Sequence, residues 1–94
     1  PLNSILPMQI VYSLEFERRY KRLPLEIQKK AEEKEIVFRK DPFDPRLKTH
    51  KLHGQLGEFW AFSIDHAYRI IFTFAERENV RFYAIGDHSV YKKF

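Results

Sequence analysis

Three stretches of this chain carry groups able to act on a phosphate. Arg46-Leu47-Lys48-Thr49-His50-Lys51-Leu52-His53-Gly54 places three cations and two histidines in nine residues, with no carboxylate. Such a run attracts a phosphate backbone. It equally describes a solvated loop and a lysine-bearing edge strand. Arg69 sits in an alternating segment between aliphatic neighbours, where a long charged group needs a partner. Its planar fork matches phosphate oxygens and would stabilise charge developing on a phosphorane-like transition state. The alternative is a cross-strand ion pair with Asp65. Gly86-Asp87-His88-Ser89-Val90-Tyr91 follows the last apolar strand. His88 there is placed to face a cleft, and imidazole is a common general acid or base in phosphodiester cleavage. A lone histidine of structural role fits the same pattern.

The elements that must position these groups follow from period and punctuation. Met8 to Tyr12 reads as a short strand. Ser13 caps a helix with Glu15 and Glu17 in its first turn and Phe16, Tyr20 and Leu23 on one face. Pro24 breaks it and opens a second helix over Leu25–Lys40, with Glu26–Lys30 and Glu35–Arg39 as i,i+4 pairs. Asp41-Pro42 and Asp44-Pro45 end that helix. The second half alternates with period two. A weak strand over Lys51–Gly54 precedes strands over Phe59–Asp65, Tyr68–Phe74 and Val80–Ile85, the last after the turn 76–79. Short connections predict antiparallel hairpins. Trp60, Phe62, Ile64, Ile70, Phe72 and Phe74 form an aromatic face for the helices. The other face, with Ser63, Asp65 and Arg69, reads as too polar for a second core and therefore open. The fold class is thus α+β: a helical hairpin on one face of a twisted antiparallel sheet of four to five strands.

Ninety-four residues make one domain, expected over 8–94, with residues 1–7 a disordered extension and Met8 a natural start. Apolar residues are 44% and charged residues 32%, as in a globular protein, and a net charge of +4 favours an anionic partner. The absence of cysteine excludes a thiol nucleophile, disulfides and Cys-ligated metals. A metal site from His50, His53 and Asp65 or His66 is disfavoured, because alternation puts His50 and His53 on opposite faces. The sequence holds no phosphate-binding glycine loop and no bilayer-spanning run, and no secretory leader is expected. No cofactor, no metal and no membrane contact are expected.

With Asp41-Pro42-Phe43 leading into Leu47-Lys48-Thr49-His50-Lys51-Leu52, with Trp60 and Ser63–Ile70, and with Ile85-Gly86-x-His88-x-x-Tyr91, the chain resembles the RelE/ParE superfamily of type II toxin–antitoxin toxins over Met8 to Tyr91. The resemblance is to the RelE, YoeB and YafQ branches. It implies a cytoplasmic, metal-independent endoribonuclease that cuts mRNA in the ribosomal A site by 2′-hydroxyl attack. It also implies a cognate acidic antitoxin as partner, and no direct DNA contact outside the antitoxin complex. Carried over by position, His88 matches a catalytic acid/base, His50 a second histidine, Arg69 an arginine on the scissile phosphate and Tyr91 a C-terminal aromatic. RNA contacts are implied at Lys48, Lys51, His53, Asp65 and Arg81. Position 63 is Ser where the YafQ-like pattern has His. Two rival functions share the fold: a ParE-like DNA gyrase poison, and a catalytically silent protein-binding module.

Overall fold

A computed structural model describes residues 8–54, 57–75 and 79–92. The expected extension 1–7 and residues 76–78 of the expected turn lie outside the described residues. The elements run β1 (Gln9–Tyr12), α1 (Leu14–Arg22), α2 (Leu25–Lys40), a 3₁₀ turn Pro45–Leu47, β2 (His50–Lys51), β3 (Trp60–Ser63), β4 (Arg69–Phe74), β5 (Asn79–Gly86) and a C-terminal 3₁₀ helix His88–Lys92.

Ser13 caps α1 as its spacing predicts. Its Oγ accepts from Phe16 N–H at 2.9 Å and donates to the Tyr83 carbonyl at 2.8 Å, so the same hydroxyl ties the helix start to β5. The helix α2 spans the expected residues, with Pro24 at its N-cap and Asp41 at its C-cap. Gln28 Nε2 donates to the Tyr20 and Leu23 carbonyls, satisfying the end of α1 from within α2. Glu35 pairs with Arg39 at 3.2 Å as expected. Lys30 does not pair with Glu26. It reaches across to Asp65 at 3.4 Å, a tertiary partner that helical spacing cannot reveal.

The sheet order is β1-β5-β4-β3-β2. Strands β2 to β5 pair antiparallel, as their short connections require, but β1 runs parallel to β5, so the sheet is mixed. No local turn joins β1 to its partner, and the helical hairpin and three other strands intervene. Its direction therefore has no signature in the local sequence. The expected strand over Lys51–Gly54 is the shorter His50–Lys51, ending before Gly54, whose φ of 72° breaks extended pairing. A bulge between Ile71 and Phe72 leaves Tyr83 as the extra residue of β5.

The helices cover one face. Phe38, with no exposed surface, has Phe62 at 4.7 Å, Phe72 at 4.9 Å and Phe82 at 5.5 Å between ring centroids. The opposite face is not wholly open, contrary to the expectation from its polar residues. Val90 of the C-terminal 3₁₀ helix is fully buried there against Leu52, Ala61, Ile71 and Ala84, with Phe59 and Tyr91 at the margin. Small side chains at Ala61 and Ala84 leave the depression into which Val90 fits.

Candidate active site

Ser63, Arg69, His50 and Arg81 sit on the face away from the helices, where the C-terminal 3₁₀ helix packs on the sheet. Register sets two cross-strand rows there: His50–Ala61–Ile71–Ala84, and Ser63–Arg69–Gly86. Alternation projects their side chains to the same side.

Arg69 opens β4 half-buried, and its Nη1 donates to the Asp65 carbonyl at 2.7 Å and the Tyr68 carbonyl at 3.0 Å. The expected Asp65–Arg69 carboxylate pair is absent. The Asp65 carboxylate instead accepts from Ala67 and Tyr68 N–H, each at 2.9 Å, and from Lys30. Burial alone would raise the Asp65 pKa, but those hydrogen bonds and the lysine outweigh it and hold the carboxyl below its ordinary range. Asp65 thus builds the β3–β4 turn, and its main chain aims Arg69. A guanidinium has five N–H donors, and two carbonyls leave donors for an anion.

Tyr91 lies beside Arg69. Burial raises its pKa, and the hydrogen bond and charge of Arg69 only partly oppose that rise. The hydroxyl therefore stays protonated at neutral pH and can donate. His88 and Tyr91 are three apart on a 3₁₀ helix, whose three-residue turn sets them on one side; their ring centroids are 6.1 Å apart. The segment that follows the last strand is thus a 3₁₀ turn. Asp87 stabilises it: Ser89 Oγ at 2.7 Å and Ser89 N–H at 2.9 Å both donate to its Oδ1. These bonds, more than the neighbouring charges of His88 and Arg19, hold its carboxyl low.

Tyr91 thus neighbours both Arg69 and His88. The remaining expected residues do not join them. His50 shares the face but stands on edge strand β2, two strand spacings or roughly 10 Å from β4, with its Nδ1 3.0 Å from the Lys48 carbonyl. Lys51 is the register partner of Trp60 and so projects to the helix side. Lys48 is exposed in a left-handed conformation after the 3₁₀ turn, and His53 is exposed beyond β2. Arg81 shares the face but pairs with Thr73, four residues along β4 from Arg69. Ser63 is buried opposite Arg69. Among the described residues no three His, Cys, Asp or Glu side chains converge to hold a metal.

Sequence reasoning missed Arg19. Its Nε pairs with Glu15 at 2.6 Å, and its Nη1 lies 3.6 Å from where a Cβ on Gly86 would stand. It therefore adds a second arginine to the rim. The Glu15–Arg19 i,i+4 spacing was the available signal.

No protein-family model and no curated protein matches the sequence. Solved structures do. The YoeB/ParE toxin from Agrobacterium tumefaciens superposes with a TM-score of 0.72 at 18% identity, over 86% of this chain and 99% of that one. The toxin–antitoxin complex DinJ–YafQ of E. coli gives 0.72 at 16% identity, over 90% and 97%. The archaeal RelE–RelB complex from Pyrococcus horikoshii gives 0.70 at 13% identity, over 87% and 96%. At these scores and coverages, the chain has the fold of these YoeB/ParE, YafQ and RelE toxins.

Proposed function

We propose that this chain is the toxin of a type II toxin–antitoxin pair and that it cleaves mRNA in the ribosomal A site without a metal. The observation that carries this reading is Arg69, anchored by two main-chain carbonyls on the sheet face away from the helices, with Tyr91 beside it and His88 next to Tyr91. An anchored arginine beside a tyrosine, with a histidine next to that tyrosine, suits a phosphodiester better than a neutral substrate.

In this reaction the 2′-oxygen attacks the adjacent phosphorus and loses its proton to a base. The bond from phosphorus to the 5′-oxygen breaks, and that oxygen takes a proton. Arg69 neutralises charge building on the non-bridging oxygens. Tyr91 donates a hydrogen bond to one of them. His88, exposed at the rim, protonates the leaving 5′-oxygen. The products are a 2′,3′-cyclic phosphate and a 5′-hydroxyl. Lys48 and His50, on the flank of the same face or its margin, hold the incoming strand. The partner that restrains the toxin is an acidic antitoxin, in keeping with the DinJ–YafQ and RelE–RelB complexes, and the site of action is the cytoplasm.

Translation of a defined message in vitro, followed by primer extension and end-group analysis, tests this. Codon-spaced cuts with cyclic-phosphate and 5′-hydroxyl ends are expected. An intact message, or 5′-phosphate ends, would overturn the reading, and an intact message with blocked DNA gyrase would favour the poison.

A further inference from the structure

Among the described residues, the best-exposed aromatic surface lies far from Arg69. Phe43 is 55% exposed and Phe74 40% exposed, although nine phenylalanines were available to fill the core. They form a preassembled group with Trp60. Phe43 stacks on Phe74 at 5.8 Å and 23°, and Trp60 stands edge-on to both, at 5.6 Å and 5.3 Å. The group is held rigidly. Asp41 accepts from Phe43 N–H at 2.9 Å, and Phe74 packs on the buried Phe72 at 5.1 Å. Phe74 is five residues from Arg69 on β4, about 17 Å along the strand and on its other face.

Two lysines without ion-pair partners among the described residues flank this surface, in a basic stretch of the chain. Residues 39–51 hold five Lys or Arg and two Asp, a net +3 against +4 for the whole chain. Both aspartates are engaged, Asp41 by Phe43 N–H and Asp44 by Arg46. Lys40 lines one cavity with Phe74 and Pro42, and Lys51 is the register partner of Trp60. Neither lysine enters an ion pair among the described residues. Lysine is depleted in protein interfaces relative to the rest of the surface. Exposed rings framed by unpaired cations are instead how single-stranded nucleic acid is held, with bases on the rings and phosphates on the lysines.

We propose that Phe43, Trp60 and Phe74, flanked by Lys40 and Lys51, form a second, sequence-tolerant stacking site for single-stranded RNA, remote from the cleavage centre. It rests on the RNA-directed function above but is read out separately from cleavage. Trp60 is the sole tryptophan, so its fluorescence reports this surface directly. Titration of the full chain with eight-nucleotide oligo(A) and oligo(U) should quench Trp60 saturably, and more weakly as salt rises. Phe43→Ala should weaken binding about tenfold. Phe43→Leu, which keeps apolar surface but removes the ring, should weaken it similarly. Arg69→Ala should leave the quench in place even where cleavage is lost, so that failure of the nuclease reading and failure of this one are distinguishable. An unquenched Trp60, or equal affinity for the Phe43 variants with their folds intact, would overturn the proposal. So would a dimer in sedimentation that Phe43→Ala dissociates, since the surface would then be an interface between copies.

Discussion

At the scale of single residues, the site depends on how Arg69 is held. Two carbonyls fix its Nη1, and under the proposed function this would aim the fork before substrate arrives, the preorganisation from which electrostatic catalysis gains most. Arg69→Lys keeps the charge but cannot hold two carbonyls and present a planar fork. Its single-turnover cleavage rate on programmed ribosomes should fall by about a hundredfold or more. An unchanged rate would make Arg69 structural. Asp65 acts on the site only through this geometry. Asp65→Ala removes the acceptor for Ala67 and Tyr68 N–H and for Lys30, and should cost about 1–2 kcal/mol of stability in denaturant melts. The sign with pH follows from its lowered pKa. The carboxylate's contribution is complete above the ordinary carboxylate range and is lost as pH falls through the depressed value. The wild-type advantage over Asp65→Ala should therefore shrink in acid; a constant difference down to acid unfolding would contradict the pairing. Arg69 stood out in the sequence because a charged residue in an apolar strand is conspicuous. Its partner did not, because a carbonyl has no residue identity to read, and the Asp65 side chain was the more visible candidate.

At the scale of elements, the C-terminal 3₁₀ helix decides whether there is a site at all. It carries both His88 and Tyr91, and one buried side chain, Val90, seats it on the sheet. Val90→Ala should lower stability by about 1–3 kcal/mol, as loss of buried methyl groups does. It should also reduce cleavage below what the folded fraction explains, because the two rings lose their anchor. Cleavage that tracks the folded fraction alone would show that the helix is positioned by something else. The limits of α2 were legible because Pro24 marks its start and Asp41-Pro42 its end, and tertiary context agrees with propensity. The seating of Val90 was not, since it joins Leu52, Ala61, Ile71 and Ala84 from four separate segments. Two of these are alanines that look neutral in a polar-alternating strand. The direction of β1 was hidden for the same reason: its partner is distant and no turn sets the pairing.

At the scale of the whole molecule, charge and architecture divide the surface. The helices cover one side, the candidate active site lies on the other, and most of the net positive charge gathers around residues 39–51. Lys48→Glu with Lys51→Glu reverses two charges in that region. It should weaken ribosome-dependent cleavage most at low salt and leave thermal unfolding nearly unchanged, because both lysines are exposed. Full activity of the double variant across moderate salt would remove these lysines from RNA binding. The central claim, however, is that this fold performs acid–base cleavage through its C-terminal histidine, and one measurement bears on it most directly. The single-turnover rate of mRNA cleavage on programmed ribosomes should fall at least about a hundredfold in His88→Ala, with the fold and antitoxin binding retained, since a 5′-oxygen leaves slowly without a proton. A His88→Ala protein that cuts at close to the wild-type rate would contradict the account.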